Sequence, residues 1–516
     1  MKNTLIRLST LGAVLLSVAC QTGSSSSGTS FGREAGGTSY SGYVGAGGPK
    51  PAASWYTQSA LSVPTALNES YLTNDSPSLQ SGTKYLWSLL KLNINFSVYT
   101  LPLSEIIVAV IDTGVDRDHP DLAGRLWLNP NEATGGRYQN GSDDDGNGLV
   151  DDFMGYDFIN DINNPIDDNG HGTHVAGTIA AIGGNGQGIV GVAPWVRIMS
   201  LKVCNAQGLC DSSDIRAAIL YAARNGAKVI NMSLGALDTG YEAQAFDATI
   251  RTATNLGATV VVSSGNYGSN VEYTTPANAK DAIAVGAHRQ DDLLCGFSNY
   301  GYKLDIAAPG CGGAGFLDIS AILSLNSQKC GYSYNQACTS RNTVTSQYSL
   351  KQGTSMAAPH VAGLAALALT ANPSATPYQV RQAILQSTRS SNNKDLFKGR
   401  GLASGQQMHV EAARAIGLKI LNPTYGASGT NQTMTVRFET KNETTSFRVK
   451  QISTSGLGTA HDLTNTGAVT VGWANVPTNT NVEYAINIAP TSNEDLVIVE
   501  ADVNGRRYFD TIVLRR

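Results

Sequence analysis

The run Ile106-Ile107-Val108-Ala109-Val110-Ile111 is apolar throughout and stops at Asp112. A strand with one face in water alternates apolar and polar side chains, whereas a strand covered on both faces has no reason to. The run therefore reads as a strand buried on both sides, as in a parallel sheet between helices. Ala227-Lys228-Val229-Ile230-Asn231-Met232 and Thr259-Val260-Val261-Val262 are similar. Between the first and second of these, Asp211-Ser212-Ser213 offers helix-capping side chains. Ile215, Ile219 and Ala222 then share one helical face, and Gly226 is a good C-terminal stop. Strand, helix, strand in succession predicts βαβ units and an α/β domain over residues 82–418.

Working outward, Lys2 and Arg7 precede an apolar stretch from Leu8 to Ala19 that is short for a bilayer span. Ser17-Val18-Ala19 puts small residues where a signal peptidase cuts, so residues 1–19 read as an export signal. Cys20 resembles the lipid-modified cysteine of bacterial lipoproteins, although Ser17 stands where that motif usually has Leu. Release to the outside and a lipid anchor at Cys20 in the cell envelope both stay open. From Gln21 to Gly48 the chain is mostly Gly, Ser and Thr, and residues 20–81 read as a flexible linker or an atypical pro-segment. No other long apolar run occurs, so no membrane span is expected in the mature chain.

Beyond about Asn422 the hydrophobic period becomes two: Met434, Val436 and Phe438 alternate with polar residues, as do Phe447 and Val449, and Val482, Tyr484, Ile486 and Ile488. The chain closes on Leu496 to Val503, then Asn504-Gly505, then Arg506 to Leu514, a strong hairpin signal. Residues 419–516 are therefore expected to form a small all-β, sandwich-like domain.

The 516 residues amount to roughly three domain-sized units at ~150 residues each. Charged residues are 15% against 41% apolar, which excludes a disordered polyelectrolyte. Lys+Arg 36 against Asp+Glu 40 gives net −4 and no electrostatic reason to expect a nucleic-acid partner. Without Cys20 the cysteines are Cys204, Cys210, Cys295, Cys311, Cys330 and Cys338. Export makes disulfides plausible, and six cysteines can pair in about 15 ways. Proximity alone favours Cys204 with Cys210 and Cys330 with Cys338, leaving Cys295 for Cys311.

Three segments set acid, base and hydroxyl groups where strands end or helices begin. Asp112 closes the first buried run, at the carboxyl end where open α/β sheets collect ligands. His171 lies in Asn169-Gly170-His171-Gly172-Thr173-His174-Val175-Ala176-Gly177, a glycine-rich helix entry. Ser355 lies in Gly353-Thr354-Ser355-Met356-Ala357-Ala358-Pro359-His360, just before the apolar run Val361 to Leu369. A serine hydroxyl is a poor nucleophile until an imidazole takes its proton, and a buried carboxylate fixes that imidazole's tautomer. At a helix N-terminus, free N–H groups and the positive end of the dipole favour a developing oxyanion. Pro359 is tolerable if it falls in the first turn or so.

Taken singly, each residue has a plainer reading as a helix cap or a structural histidine. Their coincidence does not. Val110-Ile111-Asp112-Thr113-Gly114-Val115-Asp116, His171-Gly172-Thr173-His174-Val175-Ala176-Gly177 and the segment around Ser355 resemble the three signature blocks of the subtilisin-like serine proteases (subtilases), in that family's order. The resemblance covers roughly Gly82 to Leu418. It implies a subtilisin-like parallel sheet sandwiched by helices, protein or peptide substrates, and a secreted serine endopeptidase. Asp112 would be the orienting carboxylate, His171 the general base and Ser355 the nucleophile. Ser263-Ser264-Gly265-Asn266 is similar to the block that carries the oxyanion-hole asparagine, making Asn266 a donor worth ~2.7–4 kcal/mol. Ser233, Leu234 and Gly235 would pair with the substrate backbone, with Leu234, Gly235 and Gly265 near the first specificity pocket. A monomer is expected.

Asp143-Asp144-Asp145-Gly146-Asn147-Gly148-Leu149-Val150-Asp151-Asp152 is a second chemical signal. Asp143, Asp145, Asn147 and Asp151 follow the odd-position oxygen spacing of a calcium loop, but no Glu occupies the twelfth place. A structural Ca2+ is the expectation, with a solvated acidic loop as the alternative. No glycine fingerprint implies a redox or nucleotide cofactor. His360 cannot stand in for His171, His174 lacks a zinc motif around it, and His119 reads as structural. A serine esterase is disfavoured because Ser355 lacks the G-x-S-x-G context. The other alternative is a subtilase-fold surface-binding protein without activity.

Overall fold

The computed structural model describes residues 86–94, 105–388 with gaps at 239, 302, 313–320, 331–336 and 339–342, and 403–404. It also describes the backbone of residues 15–17 and of the strands between 418 and 515. Cys20 and nearly all of the expected export signal and linker lie outside the described residues. The exception is Leu15–Ser17, a strand that pairs antiparallel with Leu209–Asp211.

A seven-stranded sheet forms the centre. Its strands are β1 (Ile107–Asp112), β2 (Gly155–Asp157), β3 (Arg197–Lys202), β4 (Val229–Met232), β5 (Thr259–Ser263), β6 (Ala282–His288) and β7 (Ile306–Pro309). Their spatial order is β7-β6-β5-β4-β1-β3-β2, and every neighbouring pair is parallel. The longer helices are α1 (His171–Ala180), α2 (Ser212–Arg224), α3 (Tyr241–Asn255), α4 (Thr354–Ala371) and α5 (Pro377–Gln386), and two short ones span Trp87–Leu92 and Pro130–Ala133.

The unbroken apolar run of β1 has the expected cause. Val108 and Val110 enter a core shared with Val175 and Ile179 of α1 and Val361 and Leu364 of α4. Ala109 and Ile111 enter a second core with Ile215 and Ile219 of α2 and Phe246 and Ile250 of α3. Successive side chains of a strand point to opposite faces, so apolar residues at every position mean helices on both. Each fully buried Val or Ile contributes ~1.5–3 kcal/mol by leaving water.

The local signals of α2 are also in place. Asp211 accepts from the Ser213 N–H at 2.8 Å, and Gly226 takes φ +83° just past the helix. The helix α4 is buried from Thr354 to Thr370. Among the described residues it is the one helix long and apolar enough to cross a membrane, and it occupies the protein core. Between β7 and α4, the strands β8 (Ile322–Leu325) and β9 (Tyr348–Lys351) pair antiparallel against α1. Disulfides join Cys204 to Cys210, Cys295 to Cys311 and Cys330 to Cys338, the pairing that proximity favoured.

From Leu418 onward the strands form two antiparallel sheets. One contains Leu418–Tyr425, Met434–Thr440 and Val482–Ile488. The other is built around Ser446–Ser453, Glu494–Val503 and Arg506–Arg515. Val503 pairs with Arg506, which leaves only Asn504 and Gly505 between the last two strands.

Candidate active site

Asp112 is the last residue of β1, so the strand runs one place further than the apolar run that ends at Ile111. His171 is the first residue of α1. Their side chains meet: His171 Nδ1 lies 2.7 Å from Asp112 Oδ1, with side-chain exposures of 1% and 0%. A carboxylate only accepts, so Nδ1 carries the hydrogen and Nε2 presents a lone pair. That Nε2 is buried and has no hydrogen-bond partner among the described residues.

Close approach of the two elements makes this contact possible. A Cβ at Gly172 would lie 2.0 Å from the Gly114 carbonyl oxygen, so α1 can abut the end of β1 only with glycine there. Thr113 Oγ1 accepts from the Gly172 N–H at 2.9 Å and donates to Asp167 Oδ1 at 2.7 Å. Asp167 also accepts from the N–H groups of Gly170 and Thr173, both at 2.8 Å, satisfying amides that the first turn of α1 leaves open. Lys202, in register with Asp112 on β3, is 1% exposed. Its ammonium donates to Thr113 O at 2.8 Å, Cys204 O at 2.9 Å and Asp168 Oδ1 at 2.6 Å, tying the Asp112 and His171 segments together. The sequence reading missed Thr113, Asp167 and Lys202. An acid-rich Asp167-Asp168-Asn169-Gly170 before a helix is a capping signal for Asp167; nothing local announces Lys202.

Ser355 is the second residue of α4 and is 2% exposed. Its hydroxyl donates to the Ser233 carbonyl at 3.1 Å rather than to His171. In return Ser233 Oγ donates to the Ser355 carbonyl at 2.7 Å. Pro359 explains why that carbonyl is open. It lies inside α4, one turn deeper than the sequence reading supposed, and has no N–H to bond the residue four places back. Ser233 supplies the missing donor.

Asn266 follows β5, and its Oδ1 accepts from both the N–H and the hydroxyl of Thr354 at 2.9 Å. With the carbonyl end so engaged, the amide's NH2 end is directed away from Thr354. Thr354 Oγ1 also accepts from the Gly265 N–H at 3.2 Å, so the Asn266 loop is fastened to the start of α4. Ser233, Leu234 and Gly235 lie just past β4, with Ser233 and Leu234 buried. Asp112, Ser233 and Asn266 thus gather at the carboxyl ends of neighbouring strands β1, β4 and β5, where an open parallel sheet presents its ligand crevice.

Three other histidines have structural partners. His119 accepts from the Asp121 N–H and its Nε2 meets Gln347 O. His174 Nε2 meets the Ile322 and Ser349 carbonyls, joining α1 to β8 and β9. His360 Nδ1 bonds Met356 O at 2.8 Å. Burial pushes all three below the ordinary imidazole pKa, His360 to about 4.

In the acidic loop, oxygens of Asp143, Asp145 and Glu132 lie within 4.8 Å of one another. Glu132, eleven residues upstream of Asp143, was not part of the sequence reading. Its Oε1 accepts from the N–H groups of Asp144 and Asp145, while Oε2 is buried without a hydrogen-bond partner among the described residues. A buried orphan carboxylate oxygen beside two more carboxylates fits a hard, oxygen-liking cation. Asp151 turns to the Asn140 and Gly141 N–H groups, and Asn147 to Leu149 N–H and Asp152.

The family profile described as "Subtilase family" matches residues 104–407. The thermophilic serine proteinase of Bacillus sp. (strain AK1) is 38% identical over 279 residues, 54% of this chain and 55% of its own. Thermitase of Thermoactinomyces vulgaris is 34% identical over 294 residues, 57% of this chain and 82% of its own. The chain thus spans little more than half the length of the first of these relatives. Among solved structures, a protease from Pseudoalteromonas arctica PAMC 21717 aligns at TM-score 0.48 and 28% identity, covering 68% of this chain and all of that one.

Proposed function

The chain belongs to the subtilase family, and on that premise we propose that it is an exported serine endopeptidase that hydrolyses peptide bonds in proteins through an acyl-enzyme on Ser355. The observation that carries the reading is the buried bond between Asp112 and His171, with the far nitrogen of the ring unengaged.

In the reaction Ser355 Oγ attacks the substrate carbonyl carbon while His171 Nε2 takes the hydroxyl proton. Asp112 holds the ring's tautomer and stabilises the imidazolium. The Asn266 side-chain NH2 and the Ser355 N–H donate to the oxyanion. Collapse breaks the C–N bond as His171 returns the proton to the leaving amine. Water, deprotonated by His171, then attacks the ester and releases Ser355. Before attack, the Ser355 hydroxyl turns from Ser233 O towards His171. The bond given up is a neutral 3.1 Å contact, and catalytic bonds commonly tighten only once substrate is bound. An extended peptide adds as a strand along Ser233, Leu234 and Gly235, with Gly265 bordering the first pocket.

A structural Ca2+ belongs to the same reading: Glu132, Asp143 and Asp145 would hold it, and its charge would compensate their three clustered carboxylates. The N-terminal leader and the three disulfides support export.

One observation favours a second reading, an inactive surface-binding protein: the resting Ser355 hydroxyl faces Ser233 rather than His171. Casein hydrolysis by the purified protein, beside Ser355→Ala and a serine-directed covalent inhibitor, separates the two. Hydrolysis abolished by either treatment is expected. Equal proteolysis by wild type and Ser355→Ala would assign the activity to another nucleophile, and none by either would favour the binding protein.

A further inference from the structure

Asn299 lies between β6 and β7 and is wholly buried. Its side chain wraps the loop that carries Asn266. Nδ2 donates to Ser264 O at 2.9 Å and to Thr274 Oγ1 at 2.8 Å. Oδ1 accepts from the N–H groups of Tyr267 and Ser269 at 3.0 and 3.1 Å, and from Ser269 Oγ at 3.3 Å. The Asn299 backbone N–H donates to Gly265 O at 3.0 Å. The residues on both sides of Asn266 are therefore held by one side chain, while its Oδ1 is held by Thr354.

Asparagine suits this task because a single short group supplies two donors and an acceptor with two lone pairs. Alanine, serine or aspartate at 299 offers only part of that set. Gly265 answers to the same contact: a Cβ there would lie 2.5 Å from Asn299 Nδ2, and its φ of +101° is one that glycine adopts freely.

We infer that Asn299 is a positioning residue for the oxyanion-hole amide, acting through the 264–269 loop to keep Asn266 Nδ2 aimed at the charge that develops on the substrate carbonyl. The inference rests on the serine-endopeptidase reading. Donors act on an oxyanion from ~2.7–3.1 Å, and a displacement of about 1 Å costs about 10²-fold, so partial loosening of the loop reads as a loss in kcat.

The test uses the full chain as wild type, Asn299→Ala, Asn266→Ala and the double variant, with Asn299→Ser as a milder change should Asn299→Ala fail to fold. Kinetics on a peptide anilide are normalised to reactive serines titrated to completion with a fluorophosphonate, which removes differences in folded fraction. Expected is a kcat about tenfold lower for the Asn299 variant with KM within about twofold, and a loss of about 10²–10³ for Asn266→Ala. The double variant is expected to lie within about twofold of Asn266→Ala, because a loop already lacking its donor has nothing left to aim. Multiplicative losses in the double variant, or an unchanged kcat in the single Asn299 variants, would overturn the inference. Failure of the underlying reading looks different: wild type turns over no substrate, or no faster than Ser355→Ala, and the inference falls with it.

Discussion

Ser233 and Ser355 exchange hydrogen bonds across the site: each hydroxyl donates to the other's carbonyl, at 2.7 and 3.1 Å. The arrangement depends on Pro359, whose missing N–H leaves the Ser355 carbonyl without its intrahelical partner. Replacing Ser233 by alanine is expected to cost about 1–3 kcal/mol by stranding that buried carbonyl. In a Pro359→Ala background the helix can supply its own donor, and the cost is expected to shrink. Urea denaturation of both pairs, in a Ser355→Ala protein to prevent self-digestion, measures the coupling; equal costs in the two backgrounds would refute this account of Pro359.

Asp112→Asn keeps the shape of the contact with His171 but offers an N–H where the carboxylate only accepted. The ring then satisfies that donor with Nδ1, moves its hydrogen to Nε2, and loses the lone pair that takes the Ser355 proton. A fall in kcat on the order of 10⁴-fold, with KM little changed, is expected from active-site-normalised kinetics. A loss smaller than about tenfold would remove Asp112 from the assigned role.

His360 links stability to pH. Burial, aided by repulsion from His288, lowers its pKa from 6.5 to about 4 in the folded protein. Its contribution is complete above the unfolded value and is lost as pH falls from about 6.5 towards 4, by at most roughly 3 kcal/mol. His174 works in the same direction. Asp116 and Asp121, whose carboxyls burial pushes up, work in the opposite one. The informative quantity is therefore a difference: His360→Gln should flatten the dependence of Tm on pH between about 7 and 4.5 relative to the parent. Parallel curves would show that His360 does not take up this proton on unfolding.

A bound calcium ion stabilises the folded state by mass action, about 2.7 kcal/mol at a hundredfold excess over Kd. Excess EDTA is expected to lower Tm, and calcium to restore it. In Glu132→Gln the calcium-dependent rise should be smaller, because the buried Oε2 is no longer part of a carboxylate. An identical melting curve with and without chelator would remove the ion from this loop.

The elements legible in the sequence share a physical trait, since each is specified by residues close together along the chain. The two-sided burial of β1 shows in six consecutive residues. The Asp211 cap and the Gly226 stop lie at the ends of their own helix, and Asn504-Gly505 joins strands that pair from Val503 and Arg506 outward. Pro359 lies one turn deeper, in a helix that begins at Thr354, whose N–H and hydroxyl are held by Asn266 Oδ1 from a distant segment. Glu132 carries no such local signal, because its carboxylate reaches the acidic loop from the helix Pro130–Ala133, twelve residues before Asp144.

What the sequence determined by itself was the α/β class, the covering of its central strands on both faces and the hairpin that closes the chain. Side-chain type and short-range spacing suffice for these, because hydrophobic periodicity, capping and turn preference act over a few residues. Tertiary structure alone decided the strand order and the partners: Asp112 with His171 across 59 residues, Ser233 with Ser355 across 122, Asn299 with Ser264 across 35. Hydrogen bonds reach about 3 Å whatever the length of chain between donor and acceptor. Which groups come within that reach is settled only when the sheet and its helices pack.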